Sequence, residues 1–273
     1  MREVRALVIS GFGINCEEET AAAYRLVGAQ TDVVHLNTVL LGKCSIRDYD
    51  VLTLPGGFSF GDDLGAGKAL ANKLRYRKLP SGRWFFDELL AYVHDGKFIL
   101  GICNGFQALV KMGLLPNVGG DYDQEVTLAP NASGRFEDRW CRCSVTARNA
   151  TPFLAGIDVI FLPVRHGEGR LVVRDSAVEE RIVAQSLDCL SYCDASGRPT
   201  ETYPANPNGS QLNCAGLCDA TGRILGLMPH PEAHLSVYNH PEWPRMRRRR
   251  PEAPEQGEGL KLFKNIVEHI KSR

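Results

Sequence analysis

Apolar residues in this chain fall into short runs closed by glycine or proline, separated by longer stretches with apolar residues at helical spacing. Val4-Arg5-Ala6-Leu7-Val8-Ile9, Asp32-Val33-Val34-His35-Leu36, Asp50-Val51-Leu52-Thr53-Leu54-Pro55 and Phe98-Ile99-Leu100 read as buried strands. After the first of them, Asn15-Cys16-Glu17-Glu18-Glu19-Thr20 supplies an N-cap and an acidic first turn for a helix from Ala21 to Val27. The opening is therefore a βαβ unit, which predicts a parallel sheet. From Asp62 to His94 the pattern is helical, with Trp84, Phe85, Leu89, Leu90 and Val93 on its buried face. A further helix begins at Phe106 and ends at Gly113-Leu114-Leu115-Pro116. Between residues 120 and 200 the runs shorten to Val126-Thr127-Leu128, Arg142 to Thr146 and Val159 to Pro163, read as antiparallel additions to the same sheet. Arg223 to Met228 is one more strand and Leu260 to Ile270 a last helix. Without internal repeats, the chain reads as a single domain over 1–273.

Composition narrows the function classes. Lys+Arg and Asp+Glu both number 32, so the net charge is zero and neither nucleic acid nor a membrane surface is an expected partner. No apolar run is long enough to span a bilayer, and Met1-Arg2-Glu3-Val4-Arg5 leads straight into a strand instead of a signal-peptide core, so the expected location is cytoplasmic. Nine cysteines in a chain this large fit reduced thiols better than a disulfide framework. The pairs Cys141/Cys143, Cys189/Cys193 and Cys214/Cys218 lack zinc-knuckle spacing, and no metal site is expected. The loop after the first strand fails as a dinucleotide-binding fingerprint, because Cys16 stands where the third glycine belongs.

The chemistry concentrates at Gly101-Ile102-Cys103-Asn104-Gly105-Phe106-Gln107. A strand stops at a glycine, turns at a cysteine and resumes as a helix, the strand, turn and helix logic of a nucleophile elbow. At a helix N-terminus the Cys103 thiolate is favoured, whereas a buried structural cysteine would not need flanking glycines. Pro55-Gly56-Gly57 closes the third strand, and the N–H groups of Gly57 and Asn104 are candidates for an oxyanion hole. Pro229-His230-Pro231-Glu232 ends a late strand, with two prolines stiffening a histidine two residues from a carboxylate. In a parallel sheet these C-terminal strand ends share one edge, so Cys103, His230 and Glu232 can converge. Arg165-His166-Gly167-Glu168-Gly169 is either a polar ligand grip or an ordinary hairpin turn. Tyr203-Pro204-Ala205-Asn206-Pro207-Asn208-Gly209-Ser210 reads as a turn cluster too polar for the core. Lys73 to Lys78 reads as a solvated surface and Arg247 to Arg250 as an exposed loop.

The elbow, Pro55-Gly56-Gly57 and the His230/Glu232 pair resemble the class I, triad-type glutamine amidotransferases. Pro55 to Ser59, Arg165 to Gly169, the Asn206-Pro207-Asn208-Gly209-Ser210 stretch and Gly226 to Glu232 are similar, more narrowly, to the glutaminase components of phosphoribosylformylglycinamidine synthases. The resemblance implies a flavodoxin-like α/β fold: a mostly parallel central sheet, helices on both faces, and antiparallel additions. It implies glutamine hydrolysis by Cys103, His230 and Glu232, with Gly57 and Asn104 as oxyanion hole and Gln107, His166, Gly167 and Glu168 gripping the substrate. Ammonia would pass to a synthetase subunit or domain, with a small accessory subunit as a further partner. That partner would use ATP and Mg2+ to make formylglycinamidine ribonucleotide from formylglycinamide ribonucleotide; no cofactor is expected in this chain, which has no P-loop. Residues 73–84 and 238–259 read as additions to the compact separate subunit. Two competing readings remain: a stand-alone γ-glutamyl hydrolase or cysteine peptidase of the same fold, and a non-catalytic regulatory subunit.

Overall fold

The computed structural model describes residues 2–146, 151–252 and 254–273. Four of its five parallel strands lie in the first half of the chain. The chain runs β1 (Arg5–Ser10), α1 (Glu17–Leu26), β2 (Gln30–His35), α2 (Leu36–Leu40), β3 (Val51–Leu54), α3 (Lys68–Tyr76), α4 (Phe85–His94), β4 (Phe98–Ile102) and α5 (Asn104–Lys111). It continues through β5 (Val126–Pro130), β6 (Glu137–Val145), β7 (Val159–His166), β8 (Glu168–Val173), α6 (Ser176–Ala184), β9 (Leu190–Tyr192), β10 (Cys214–Cys218) and β11 (Ile224–Leu227), and closes with α7 (Trp243–Arg249) and α8 (Leu260–Lys271). The main sheet has the order β2-β1-β3-β4-β11-β10-β9-β6-β7. Pairing is parallel from β2 to β11 and antiparallel beyond it. This is the expected α/β architecture, a parallel centre with antiparallel additions.

Helices cover both faces, as the two-residue period of β3 records. Leu52 and Leu54 face Leu74, Phe85, Leu89 and Leu109 of α3, α4 and α5, whereas Thr53 points the other way and bonds the Tyr24 hydroxyl of α1 at 2.8 Å. On that second face α1 packs with α8, Tyr24 meeting Phe263 edge to face at 5.0 Å between ring centres. The strand order reverses between β1 and β3, since the chain leaves β1 for β2 on one side and returns to β3 on the other. Ligands of open α/β sheets bind at such a switch point, beyond the carboxyl ends of the strands. The loops after β1, β3, β4 and β11 all open there.

Five expectations are corrected. Val126 to Leu128 is not an addition to the main sheet: β5 pairs with β8 in a separate two-stranded ribbon, because the chain turns out of the sheet at Gly167. The helical pattern from Asp62 to His94 splits into α3 and α4 around a narrow turn in which Phe85 N–H donates to Arg77 C=O; Pro80-Ser81-Gly82 breaks the helix there. Residues 203–210 are not too polar for the interior, since Asn206, Asn208 and Ser210 are buried and bond to one another and to the neighbouring backbone. Arg247, Arg248 and Arg249 of the arginine run lie on helix α7 instead of a loop, with Arg250 at its C-cap: Pro244 suits the first helical turn, and arginines in the last turn complement the helix dipole. The first helix likewise runs from Glu17 to Leu26, earlier than the expected Ala21 to Val27.

Candidate active site

Cys103 occupies a strained turn between β4 and α5, with φ 50° and ψ −102°, a conformation that non-glycine residues adopt only when the surroundings enforce it. Its N–H donates to Leu227 C=O of β11 at 2.8 Å, and its C=O accepts from Gln107 N–H at 3.0 Å. Two glycines permit the turn. A Cβ on Gly101 would lie 2.5 Å from Leu109 Cδ1, and one on Gly105 would lie 1.9 Å from the Leu54 carbonyl oxygen. Strand β4 and helix α5 can pass this closely to each other and to β3 only without side chains there.

His230 follows β11, whose Leu227 is in register with Ile102 of β4, so the neighbouring strands deliver histidine and cysteine to the same edge. Its Nδ1 and Glu232 Oε1 are 2.6 Å apart, both side chains almost wholly buried. Burial disfavours the imidazolium, but the Glu232 carboxylate, followed by the Cys103 and Cys16 thiols against the ring, more than reverses this and raises the His230 pKa well above its usual value. The His230 Nε2 and the second Glu232 oxygen have no hydrogen-bond partner among the described residues.

Gly56 and Gly57 are pressed between the Gly13–Cys16 loop and His230: a Cβ on Gly56 would meet His230 Cε1 at 2.7 Å, and one on Gly57 the Gly13 carbonyl oxygen at 2.6 Å. Asn15 N–H donates to Gly56 C=O and Phe58 N–H to Gly13 C=O. Ile14 and Gly57 thus form a non-hydrogen-bonded bridge pair, which turns the Gly57 N–H away from that loop. Asn104 is the first residue of α5, so its N–H has no acceptor within the helix.

Beyond the elbow runs a relay of side chains. Asn104 Oδ1 accepts from Ser59 Oγ at 2.5 Å and from Ser59 N–H at 3.2 Å, and its Nδ2 donates to Gln107 Oε1 at 3.0 Å. Gln107 Nε2 donates to Glu168 C=O at 2.6 Å, and Glu168 Oε2 accepts from Ala66 N–H at 3.0 Å. Both ends of the Gln107 amide are thus hydrogen-bonded inside the protein, tying the elbow helix to the Glu168 backbone. The Arg165 to Gly169 stretch is more than a hairpin turn: it passes from β7 into β8, with the Arg165 carbonyl oxygen 3.7 Å from Cys103 Sγ. His166 is buried, and burial first, then His230, pushes its pKa down to about 3. Asn131 donates through Nδ2 to the Arg135 and His166 carbonyls, leaving its Oδ1 to accept from His166 Nδ1 at 3.0 Å. His166 is then a neutral imidazole whose Nε2 acceptor has no partner among the described residues. Gly167 C=O accepts from Asn131 N–H at 2.9 Å. Asn208 Nδ2 donates to Gly169 C=O at 2.8 Å, and Ser210 Oγ also donates there, so the buried asparagine stretch backs this corner.

Sequence reasoning missed Ser59, Asn131 and Cys16. Ser59 and Asn131 carry no local signal, since their partners lie 45 and 35 positions away. Cys16 was legible only as a failed glycine position.

An α/β sheet carrying a cysteine elbow, a histidine–glutamate pair and glycine amides on one edge is the arrangement of a class I glutamine amidotransferase. The CobB/CobQ-like glutamine amidotransferase domain family matches residues 3–270, and the chain belongs to it, among the PurQ subunits of phosphoribosylformylglycinamidine synthase. The subunit from Methanococcus maripaludis strain C7 is 41% identical over 97% of both chains, and that from Dehalococcoides mccartyi 39% over 98% of both. The chain in the structure of PurLQS from Thermotoga maritima is 28% identical, with a TM-score of 0.70 over 98% of this chain and 100% of that one. Coverage of 97% on both sides means that the length which made 73–84 and 238–259 look like additions is shared with these relatives.

Proposed function

We propose that this chain is the glutaminase component of phosphoribosylformylglycinamidine synthase, hydrolysing glutamine and handing ammonia to a synthetase partner. The observation that carries the reading is the buried His230–Glu232 pair set against the Cys103 thiol at the carboxyl edge of the sheet. Cys103 Sγ attacks the side-chain amide carbon of glutamine, and the N–H groups of Gly57 and Asn104 receive the oxyanion. His230 holds the proton that the departing ammonia takes, then draws one from the water that cleaves the thioester to glutamate. Glu232 fixes the ring through Nδ1 and stabilises the imidazolium. His166 Nε2 and the Gly167–Glu168 backbone receive the α-amino end of the substrate, while Gln107 acts through Glu168 as a positioning residue.

The chain itself needs no cofactor for this chemistry, and ATP with Mg2+ belongs to the synthetase. Cytoplasmic residence fits a chain in which, among the described residues, no helix is long and apolar enough to cross a membrane. A single domain over 1–273 fits the continuous core. The test is mass mapping after treatment with an electrophilic glutamine analogue, with the synthetase present and with or without excess glutamine. Labelling at Cys103 that glutamine blocks, and that Cys103→Ser abolishes together with ammonia release, is the expected result. No labelling of the complex would refute the reading; turnover of γ-glutamyl peptides without the synthetase would replace it with the stand-alone hydrolase.

A further inference from the structure

The reaction has no use for the second thiol at the catalytic histidine. Cys16, in the loop between β1 and α1, has donor atoms grouped with those of His230 and Glu232 so that all lie within 4.8 Å of one another. Sulfur, imidazole and carboxylate are the usual ligands of zinc, at about 2.0–2.3 Å, which sets the donors of a tetrahedral centre roughly 3.5 Å apart. Closure therefore needs movements of about an ångström. Two of the three side chains are ready for it: His230 Nε2 and one Glu232 oxygen are buried without hydrogen-bond partners among the described residues. The third is reachable, since a cavity of about 310 Å3 is lined by Cys16, Glu19, Glu232 and Asn239, with Arg165 as its opposing cation. An ion entering there meets Cys16 and Glu232 from the α1 side.

We propose that Cys16, His230 and Glu232 bind a zinc-class divalent cation, which withdraws His230 from the reaction. The Cys16 thiol and the His230 imidazolium, at Nε2, each release a proton to solvent on binding, and the thiolate and the carboxylate together neutralise the two charges of the ion. A fourth position stays open to water. With the imidazole engaged, the proton needed by the departing ammonia has no carrier. The inhibitory consequence rests on the glutaminase reading; the binding does not.

The experiment titrates the full chain with Zn2+ alone against a chromophoric chelator, and in parallel follows glutamine turnover by the chain with its synthetase in zinc-buffered solutions. We expect one ion per chain, at least a tenfold loss of affinity in Cys16→Ser, and less than threefold in Cys103→Ser. Inhibition of the wild type and of Cys16→Ser, each read against its own zinc-free rate, weakens in step with the affinity of Cys16→Ser. If Cys16→Ser folds poorly, thermal melting with and without Zn2+ replaces the titration: zinc raises the Tm of the wild type and of Cys103→Ser, and leaves that of Cys16→Ala unchanged. Equal affinity in wild type and Cys16→Ser, or an equal loss in Cys103→Ser, overturns the proposal. Zinc binding by a chain that never releases ammonia would refute the glutaminase reading and leave the metal site standing.

Discussion

Replacing Gly105 by alanine tests how the elbow is held. The added Cβ would stand 1.9 Å from the Leu54 carbonyl oxygen, 2.6 Å from its carbon and 2.8 Å from Leu54 Cβ, where ordinary contact starts at 3.4 Å. The obstacle is the backbone of β3, hydrogen-bonded on one side to β1 and on the other to β4, so the strand cannot give way. The start of α5 must retreat by about 1.5 Å, the difference between 3.4 and 1.9 Å, and it carries Cys103 and the Asn104 N–H with it. Overpacking of this kind costs about 3 kcal/mol, the upper end of the usual range. At roughly 2–4 °C per kcal/mol for a chain of this size, the Tm falls by about 6–12 °C. Catalysis suffers more than stability, because a displacement of about 1 Å at a reacting group costs on the order of 100-fold in rate. Urea denaturation and glutamate release in the presence of the synthetase measure the two effects. Gly120→Ala is the control: its φ of 80° is left-handed but no atom lies within 4 Å of an added Cβ, so it reports backbone strain of about 1 kcal/mol alone. The reasoning is refuted if Gly105→Ala is no less stable than Gly120→Ala and keeps its rate within threefold.

Two further changes probe the charge pair and the buried asparagines. In Glu232→Gln the burial of His230 is left with less opposition, so its raised pKa moves down and the alkaline limb of the rate profile moves down with it. The rate itself drops by about 10²–10⁴-fold. The imidazolium–carboxylate pair contributes stability that is complete below the unfolded histidine pKa of about 6.5 and is lost as pH rises through the folded value; urea midpoints of wild type and variant should converge at alkaline pH, and a constant gap would contradict this. Asn208→Ala removes one of the two donors to the Gly169 C=O and the Oδ1 acceptor of Ser210 Oγ, for a loss of about 1–3 kcal/mol and a higher KM for glutamine. An unchanged KM would separate this stretch from the His166–Gly169 corner it backs.

Local periodicity and turn chemistry were enough to read the parallel strands, the cysteine elbow, the double glycine after β3 and the proline-bracketed histidine, because each is written within a few consecutive residues. The Asn206 to Ser210 stretch shows where that reading stops. Its composition says turn, and it is a turn, but whether it faces water depends on acceptors such as the Gly169 C=O, 39 positions away. The same holds for Gln107, whose place on the elbow helix was plain while its bond to Glu168 spans 61 positions. Charge pattern could not separate the arginine helix α7 from a loop, since both are exposed.

The chain's own sequence determined the α/β class, the candidate catalytic side chains and the order in which they come, since strand and helix periods and turn residues are short-range properties. Tertiary structure alone decided that β5 and β8 leave the sheet, that Gln107 bonds the Glu168 backbone, and that Cys16 lies beside the histidine. Those outcomes depend on which distant strands become neighbours at the switch between β1 and β3, and packing of the whole chain sets that.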